Sequence, residues 1–158
     1  MIKAIDTHYK DHLFRSRLEA RWAVYFDTLG VKWDYESEGF ELENGRYLPD
    51  FYFPKYDFYG EIKPEGFGDK DLDKWTSFVT EMKKPLVVFE GLPHTSDCRI
   101  IYLDGFQLTD YHRVIPFADL TKTSYGVFWY CGGIEDWGVY NPYKAAISSA
   151  KKKRFEFT

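Results

Sequence analysis

Apolar residues recur at helical spacing near the start of the chain. Leu18, Trp22, Phe26 and Leu29, with Tyr25 alongside, form one stripe. Ser16 and Glu19, three residues apart ahead of that stripe, fit a capping box, and Gly30 is a natural stop. The pattern predicts a helix from Ser16 to about Leu29, after a short strand and turn over residues 1–15. Trp33 and Tyr35 then alternate with Asp34 and Glu36, which predicts a strand over residues 31–36. Phe40 and Leu42 end another strand, and Asn44-Gly45 accepts the positive φ angles of a two-residue hairpin loop. Residues 46–53 run back as one strand, Lys55 to Asp57 turn again, and Phe58 to Lys63 form a third strand. Pro64 to Gly68 break it as a loop.

Leu72, Trp75, Phe78, Val79 and Met82 predict a helix over residues 69–83, whose start Asp71 and Asp73 favour. The run Pro85 to Phe89 is apolar throughout, as in a strand covered on both faces. Arg99 to Leu103 is a further strand and Asp104-Gly105 a turn. From Val114 the pattern weakens. Tyr125 to Tyr130 reads as a strand, and Pro142 to Arg154 as a helix with Ala146, Ile147 and Ala150 inward. No repeat or linker divides the chain, so one domain spans residues 1–158, with a core of about 13–103 and an extension over 104–158.

Composition changes this picture little. The 158 residues are 44% hydrophobic and 20% aromatic, enough for a core rich in Phe, Tyr and Trp. A net charge of −4 is not the global signature of a nucleic-acid binder. Local basic groups exist all the same, at Arg15, Arg17 and Arg21 and at Lys151 to Arg154. The latter run suits either phosphates or the dipole of its own helix. Cys98 and Cys131 stand far apart, which argues against a disulfide scaffold or a structural zinc site. Met1 leads straight into Lys3, Asp6 and Lys10 with no apolar leader, so a cytoplasmic protein with no membrane partner is the expectation.

The candidate chemistry lies on the hairpins. Side chains alternate along a strand, so Glu61 and Lys63 share a face while Ile62 points to the other. Asp50 directly follows Pro49 on the preceding strand, which carries Phe51 and Phe53. Charges on an aromatic sheet need a partner or a metal. The bland alternative is an ion-pair ladder across neighbouring strands.

Pro49-Asp50 followed by Glu61-Ile62-Lys63 resembles the motif of the PD-(D/E)XK, or restriction-endonuclease-like, nucleases. The segment FRSRLEARWAVYFDTLGVKWDYESEGF is similar to the first helix and following strand of small phage- and prophage-encoded members, and KPLVVFEGLP to a later strand. The likeness covers roughly residues 8–93. It implies an α/β (α+β) fold with a central mixed sheet flanked by helices in the order α-β-β-β-α-β. It also implies a metal-dependent phosphodiester hydrolase acting on DNA and leaving a 5′-phosphate and a 3′-hydroxyl.

Asp50 and Glu61 are hard oxygen donors that suit Mg2+ or Mn2+. The resemblance adds the Ile62 carbonyl as a ligand and Glu19 as a third acidic group. By its position Glu19 either caps its own helix or reaches the site. Lys63 would orient the attacking water and offset developing charge. Arg15, Arg17 and Arg21 are candidate phosphate contacts. Lys70 and Lys74, on one helical face, are either phosphate contacts or a solvated surface. Glu36 and Glu38 read as solvated, with assistance to the site by one of them as the alternative.

His8 and His12 are four apart but read as surface residues, and His94 and His112 stand alone. Cys131 with Gly132-Gly133 reads as a free thiol, and the tyrosines and tryptophans over 125–143 as packing. Two other functional classes compete: an inactive nuclease fold that binds nucleic acid or a partner, and a phage accessory protein that binds a host factor. A homodimer is a further expectation, as for many nucleases that cut both strands.

Overall fold

A computed structural model describes residues 4–93, 98–104, 107–122, 128–130 and 141–155. A hairpin of β1 (Thr7–Tyr9) and β2 (His12–Phe14) leads into α1 (Arg17–Leu29). Ser16 caps that helix with its hydroxyl, and Gly30 ends it at φ 75°. The Gly30 and Val31 N–H groups close the last turn on the Asp27 and Phe26 carbonyls, a left-handed stop that glycine adopts without cost. β3 (Asp34–Tyr35), β4 (Phe40–Leu42), β5 (Gly45–Tyr47), β6 (Phe51–Phe53) and β7 (Phe58–Lys63) follow. Then come α2 (Asp69–Met82), β8 (Leu86–Glu90), β9 (Cys98–Asp104), β10 (Gln107–Lys122), β11 (Phe128–Tyr130) and α3 (Asn141–Lys152).

The described residues thus form a mixed α and β fold with three helices, as the sequence pattern implies. Its seven-stranded sheet has the order β11-β10-β9-β8-β7-β6-β3. β7 and β8 are parallel and joined through α2, because parallel neighbours need a crossover. The other described pairings in this sheet are antiparallel. Along the main sheet the chain order from α1 is α1-β3-β6-β7-α2-β8.

The expected single strand over 46–53 is two strands in different sheets. β5 pairs only with β4 in a separate two-stranded ribbon, and β6 joins the main sheet. Leu48 to Asp50 lie between them, and Pro49 has no N–H to give a ladder. The strand expected over 31–36 pairs only at Asp34 and Tyr35. β10 was not foreseen; its pairing with β9 shifts register between Tyr111 and Val114, so no simple alternation marks it. His94, Gly105, residues 125–127 and residues 131–140, including Cys131, lie outside the described residues.

Alternation sorts the core into two layers. Phe58 and Ile62 of β7, with Phe51, Phe53, Val87 and Phe89, face α1 and the Ala146 and Ala150 side of α3. Tyr59, Leu86, Val88 and Ile101 face Trp75, Phe78 and Val79 of α2, with Leu42 and Tyr47 of the ribbon. β8 is therefore covered on both faces, as its unbroken apolar run implies.

Gly60 sits where a side chain has no room. A Cβ there would lie 2.9 Å from ring carbons of both Phe53 and Phe89. Overpacking of this kind costs about 1–3 kcal/mol, or roughly 5 °C in Tm for a chain of this size, so Gly60→Val is expected to melt earlier by that much. Thermal unfolding checks this, and an unchanged Tm would count against the close approach.

Candidate functional site

The break at Pro49 sets up the site. Asp50 stands just before β6, and the Ile62 N–H of β7 donates to its Oδ2 at 2.8 Å. The Asp50 side chain thus takes the place of a ladder carbonyl beyond the Phe51–Gly60 pair. Its own backbone carbonyl accepts the Glu36 N–H at 2.8 Å, on the other side. Burial, then the charges of Glu61 and Glu19, push the Asp50 carboxyl well above the usual carboxylate range.

Glu61 is on the α2 face of β7, as alternation predicts. Its Oε2 accepts the Tyr47 hydroxyl at 2.6 Å. Burial raises Glu61 to about 7, although the Tyr47 hydrogen bond and the Lys63 charge pull the other way. Tyr47 is itself buried and is raised well above its ordinary value, by burial first and by Glu61 next. Lys63 shares that face and is held by Asp71, in the first turn of α2, at 3.0 Å.

Glu19 contacts the cap of its own helix and also lies beside Asp50. The Ser16 hydroxyl accepts the Glu19 N–H at 3.1 Å and donates to the Glu19 carboxylate at 3.0 Å. The same carboxylate, only 8% exposed, offers an oxygen within 4.8 Å of oxygens from Asp50 and Glu36. Glu36 departs from its expected solvated role. Its backbone is left-handed, at φ 47°, which is uncommon for a residue other than glycine. Arg15 pairs with it at 2.6 Å.

Among the described residues, Glu19, Glu36 and Asp50 are the acidic group close enough to share a cation. Glu61 lies outside that group, turned to Tyr47. All the same, Glu61 lines the same cleft of about 660 Å3 as Glu19, Asp50 and Ile62, with Arg15 and Arg17 at its wall.

Not every expected residue comes here. The Arg21 guanidinium donates to the carbonyls of Ala150, Lys151 and Lys153 at 2.8–3.2 Å, closing the C-terminal end of α3. Lys70 and Lys74 are on α2 and do not line the cleft; the charge of Lys74 acts on Asp71 instead. Tyr47, Asp71 and Glu36 were not singled out as site residues from the sequence. A signal existed for Tyr47, since it stands opposite Phe40 and so on the inward face of the ribbon.

His8 pairs with Leu13 and His12 with Tyr9, so the two histidines project from opposite faces of the first hairpin. They cannot ligate one ion. His12 instead lies against Trp33, with ring centroids 4.9 Å apart. No described helix is long and apolar enough to cross a membrane.

Glu19, Glu36 and Asp50 are the described carboxylates that could hold a hard divalent cation, and the Lys63 ammonium, paired with Asp71, stands two residues beyond Glu61 on β7. No protein-family model, no curated protein and no solved structure matches this chain.

Proposed function

We propose that the protein is a Mg2+- or Mn2+-dependent phosphodiester hydrolase acting on DNA, with a restriction-endonuclease-like core of the PD-(D/E)XK kind. One observation carries this reading. Asp50 and Glu61 come from neighbouring strands, and with Glu19 they converge on one cleft while Lys63 shares the face of Glu61. A ladder of surface ion pairs does not account for it. Among the described residues no salt bridge pairs Asp50 or Glu61 with a cation, and burial disfavours the charge of both. Such groups need a counter-charge to stay ionised.

The donor set fits the metal. Carboxylate oxygens from Glu19, Glu36 and Asp50 lie within 4.8 Å of one another, and oxygen-only sites select Mg2+ or Mn2+ over zinc. Glu19, Glu36 and Asp50 would hold it, and Glu61 and the Ile62 carbonyl, on the same cleft, complete the proposed set. When bound, it lowers the pKa of a coordinated water and polarises a phosphoryl oxygen. Lys63, held by Asp71 at 3.0 Å, acts as a hydrogen-bond donor. Its ammonium orients the attacking water and offsets charge on the phosphoryl oxygens. Asp71 fixes the direction from which Lys63 does so. Tyr47 fixes the direction of the Glu61 carboxylate, and a hydrogen bond of this type to a metal ligand is worth about 10- to 100-fold in metal affinity. Arg15 and Arg17 stand where phosphates of the strand pass.

The test is cleavage of linear duplex, single-stranded and branched DNA, and of RNA, with Mn2+ or Mg2+. Wild type is expected to cut DNA, to stop in EDTA, and to lose activity on Glu61→Ala. A wild type inert on every substrate, whose melting does not respond to Mn2+, sinks the reading.

A further inference from the structure

We propose that Arg15 is the resident counter-cation of the acidic cluster, and that a divalent cation entering the cleft takes Glu36 from it and frees its guanidinium for a substrate phosphate. This rests on the metal-dependent reading above and adds a device to it, a coupling between metal and DNA through one exchanged carboxylate.

Glu36 is the fixed partner in that pair. Its N–H is tied to the Asp50 carbonyl at 2.8 Å, and its side chain is 19% exposed. Its left-handed backbone, at φ 47°, delivers the carboxylate to the oxygens of Glu19 and Asp50. The backbone part of that delivery is held by the Asp50 carbonyl rather than by Arg15. The arginine is the loose partner, because its side chain is 71% exposed. Its backbone is anchored separately, through an N–H bond to the Tyr35 hydroxyl at 3.1 Å, so releasing the guanidinium leaves the chain in place.

Two oxygens of Glu36 now serve one guanidinium. The Arg15 Nε reaches Oε1 at 2.6 Å and Nη2 reaches Oε2 at 3.3 Å. A carboxylate gripped at both oxygens has little left for a metal, so the two cations compete for it. The competition favours the divalent ion. It collects three carboxylates where Arg15 grips one, and an exposed ion pair is weak to begin with. Once displaced, Arg15 remains at the cleft wall with a planar fork suited to phosphate. Metal then favours DNA, and by reciprocity DNA favours metal.

This exchange has an unusual sign. If Arg15 were merely structural, removing it would leave metal binding unchanged or harm it. Under exchange, removing it helps the metal and harms DNA. Mn2+ binding to the full chain is measured by calorimetry, with melting to confirm folding. Arg15→Ala is expected to bind Mn2+ about 5-fold tighter than wild type, and Arg15→Lys, which restores a cation, close to wild type. Glu36→Gln is expected to bind Mn2+ more weakly, and adding Arg15→Ala on that background to give no further gain.

The affinity of wild type for a labelled phosphorothioate DNA oligonucleotide is expected to rise about 5-fold or more when Mn2+ is added, and Arg15→Ala to lose most of that rise. A folded Arg15→Ala with unchanged or weaker Mn2+ binding overturns the exchange and leaves the metal site standing. A wild type that binds no Mn2+ overturns both.

Discussion

Asp50→Asn is expected to abolish cleavage and, without metal, to melt at a higher temperature than wild type. Both effects follow from one carboxylate. Asn keeps the oxygen that accepts the Ile62 N–H, so the join between β6 and β7 survives. What it loses is the charge that burial, Glu61 and Glu19 all disfavour. A metal ligand of this kind supplies several kcal/mol of transition-state stabilisation, so activity should fall on the order of 10³-fold. The stability gain follows by linkage. The folded-state value of Asp50 is raised, so its favourable contribution is complete below the unfolded value and is lost as pH climbs through the folded one. Metal-free wild type therefore carries a penalty that grows as the pH rises above the unfolded value, and the Asn variant carries none. The expected gain is on the order of 1 kcal/mol, a few degrees in Tm, fading as the pH approaches 4. Adding Mn2+ should raise the Tm of wild type and leave the variant's nearly fixed. Melting curves in EDTA and in Mn2+, beside a cleavage assay, decide it. A variant that cuts normally, or that melts lower than wild type at pH 8, contradicts the assignment of Asp50.

The parts of this fold that could be read from sequence are those set by local rules. Ser16, Glu19 and Gly30 announce both ends of α1, since capping and left-handed stops involve residues within a few positions of each other. The apolar run of β8 announces burial on both faces. The facing of Glu61 and Lys63 followed from strand alternation alone. What could not be read depends on which strand meets which. Pro49 was seen, but not that it hands the chain from a two-stranded ribbon to the main sheet. Tyr47 reaches Glu61 only because that ribbon packs on the α2 layer. Glu36 reaches Asp50 only because β3 pairs with β6 and because its backbone turns left-handed, a choice no glycine or asparagine advertises. Arg21 looked like one of three equivalent arginines until α3, far along the chain, took it as a cap. Carboxylates in a site are thus easier to find than the groups that hold them.

Mn2+ affinity is expected to climb steeply with pH up to about 7, the value to which burial raises Glu61. A carboxylate must lose its proton to bind a metal, so each proton displaced is worth about tenfold in affinity per pH unit below its own value. Asp50, also raised, adds its proton in the same direction. Between pH 5 and pH 7 the gain should reach about 100-fold or more, and it should flatten above that for the share due to Glu61. Glu61→Gln removes one proton from the slope.

Metal-free stability must run the opposite way. Glu61 is raised above its unfolded value of 4.5, so its contribution is complete below that value and is lost as pH rises to about 7. Across that window each such carboxylate lowers stability by at most about 1.4 kcal/mol per pH unit. Tyr47→Phe separates these causes. The phenol hydrogen bond is one of the forces that hold the Glu61 value down, so removing it should move the inflection to higher pH while the ring keeps its place against Phe78. Calorimetric Mn2+ titrations from pH 5 to pH 8, on wild type, Glu61→Gln and Tyr47→Phe, supply the comparison. If all three give the same flat profile, Glu61 neither titrates near 7 nor meets the metal. If Tyr47→Phe shifts the inflection downward, the hydrogen bond is not supporting the ionised carboxylate. An upward shift, with Glu61→Gln losing one proton from the slope, makes the half-buried carboxylates of this sheet the groups that set when the metal can bind.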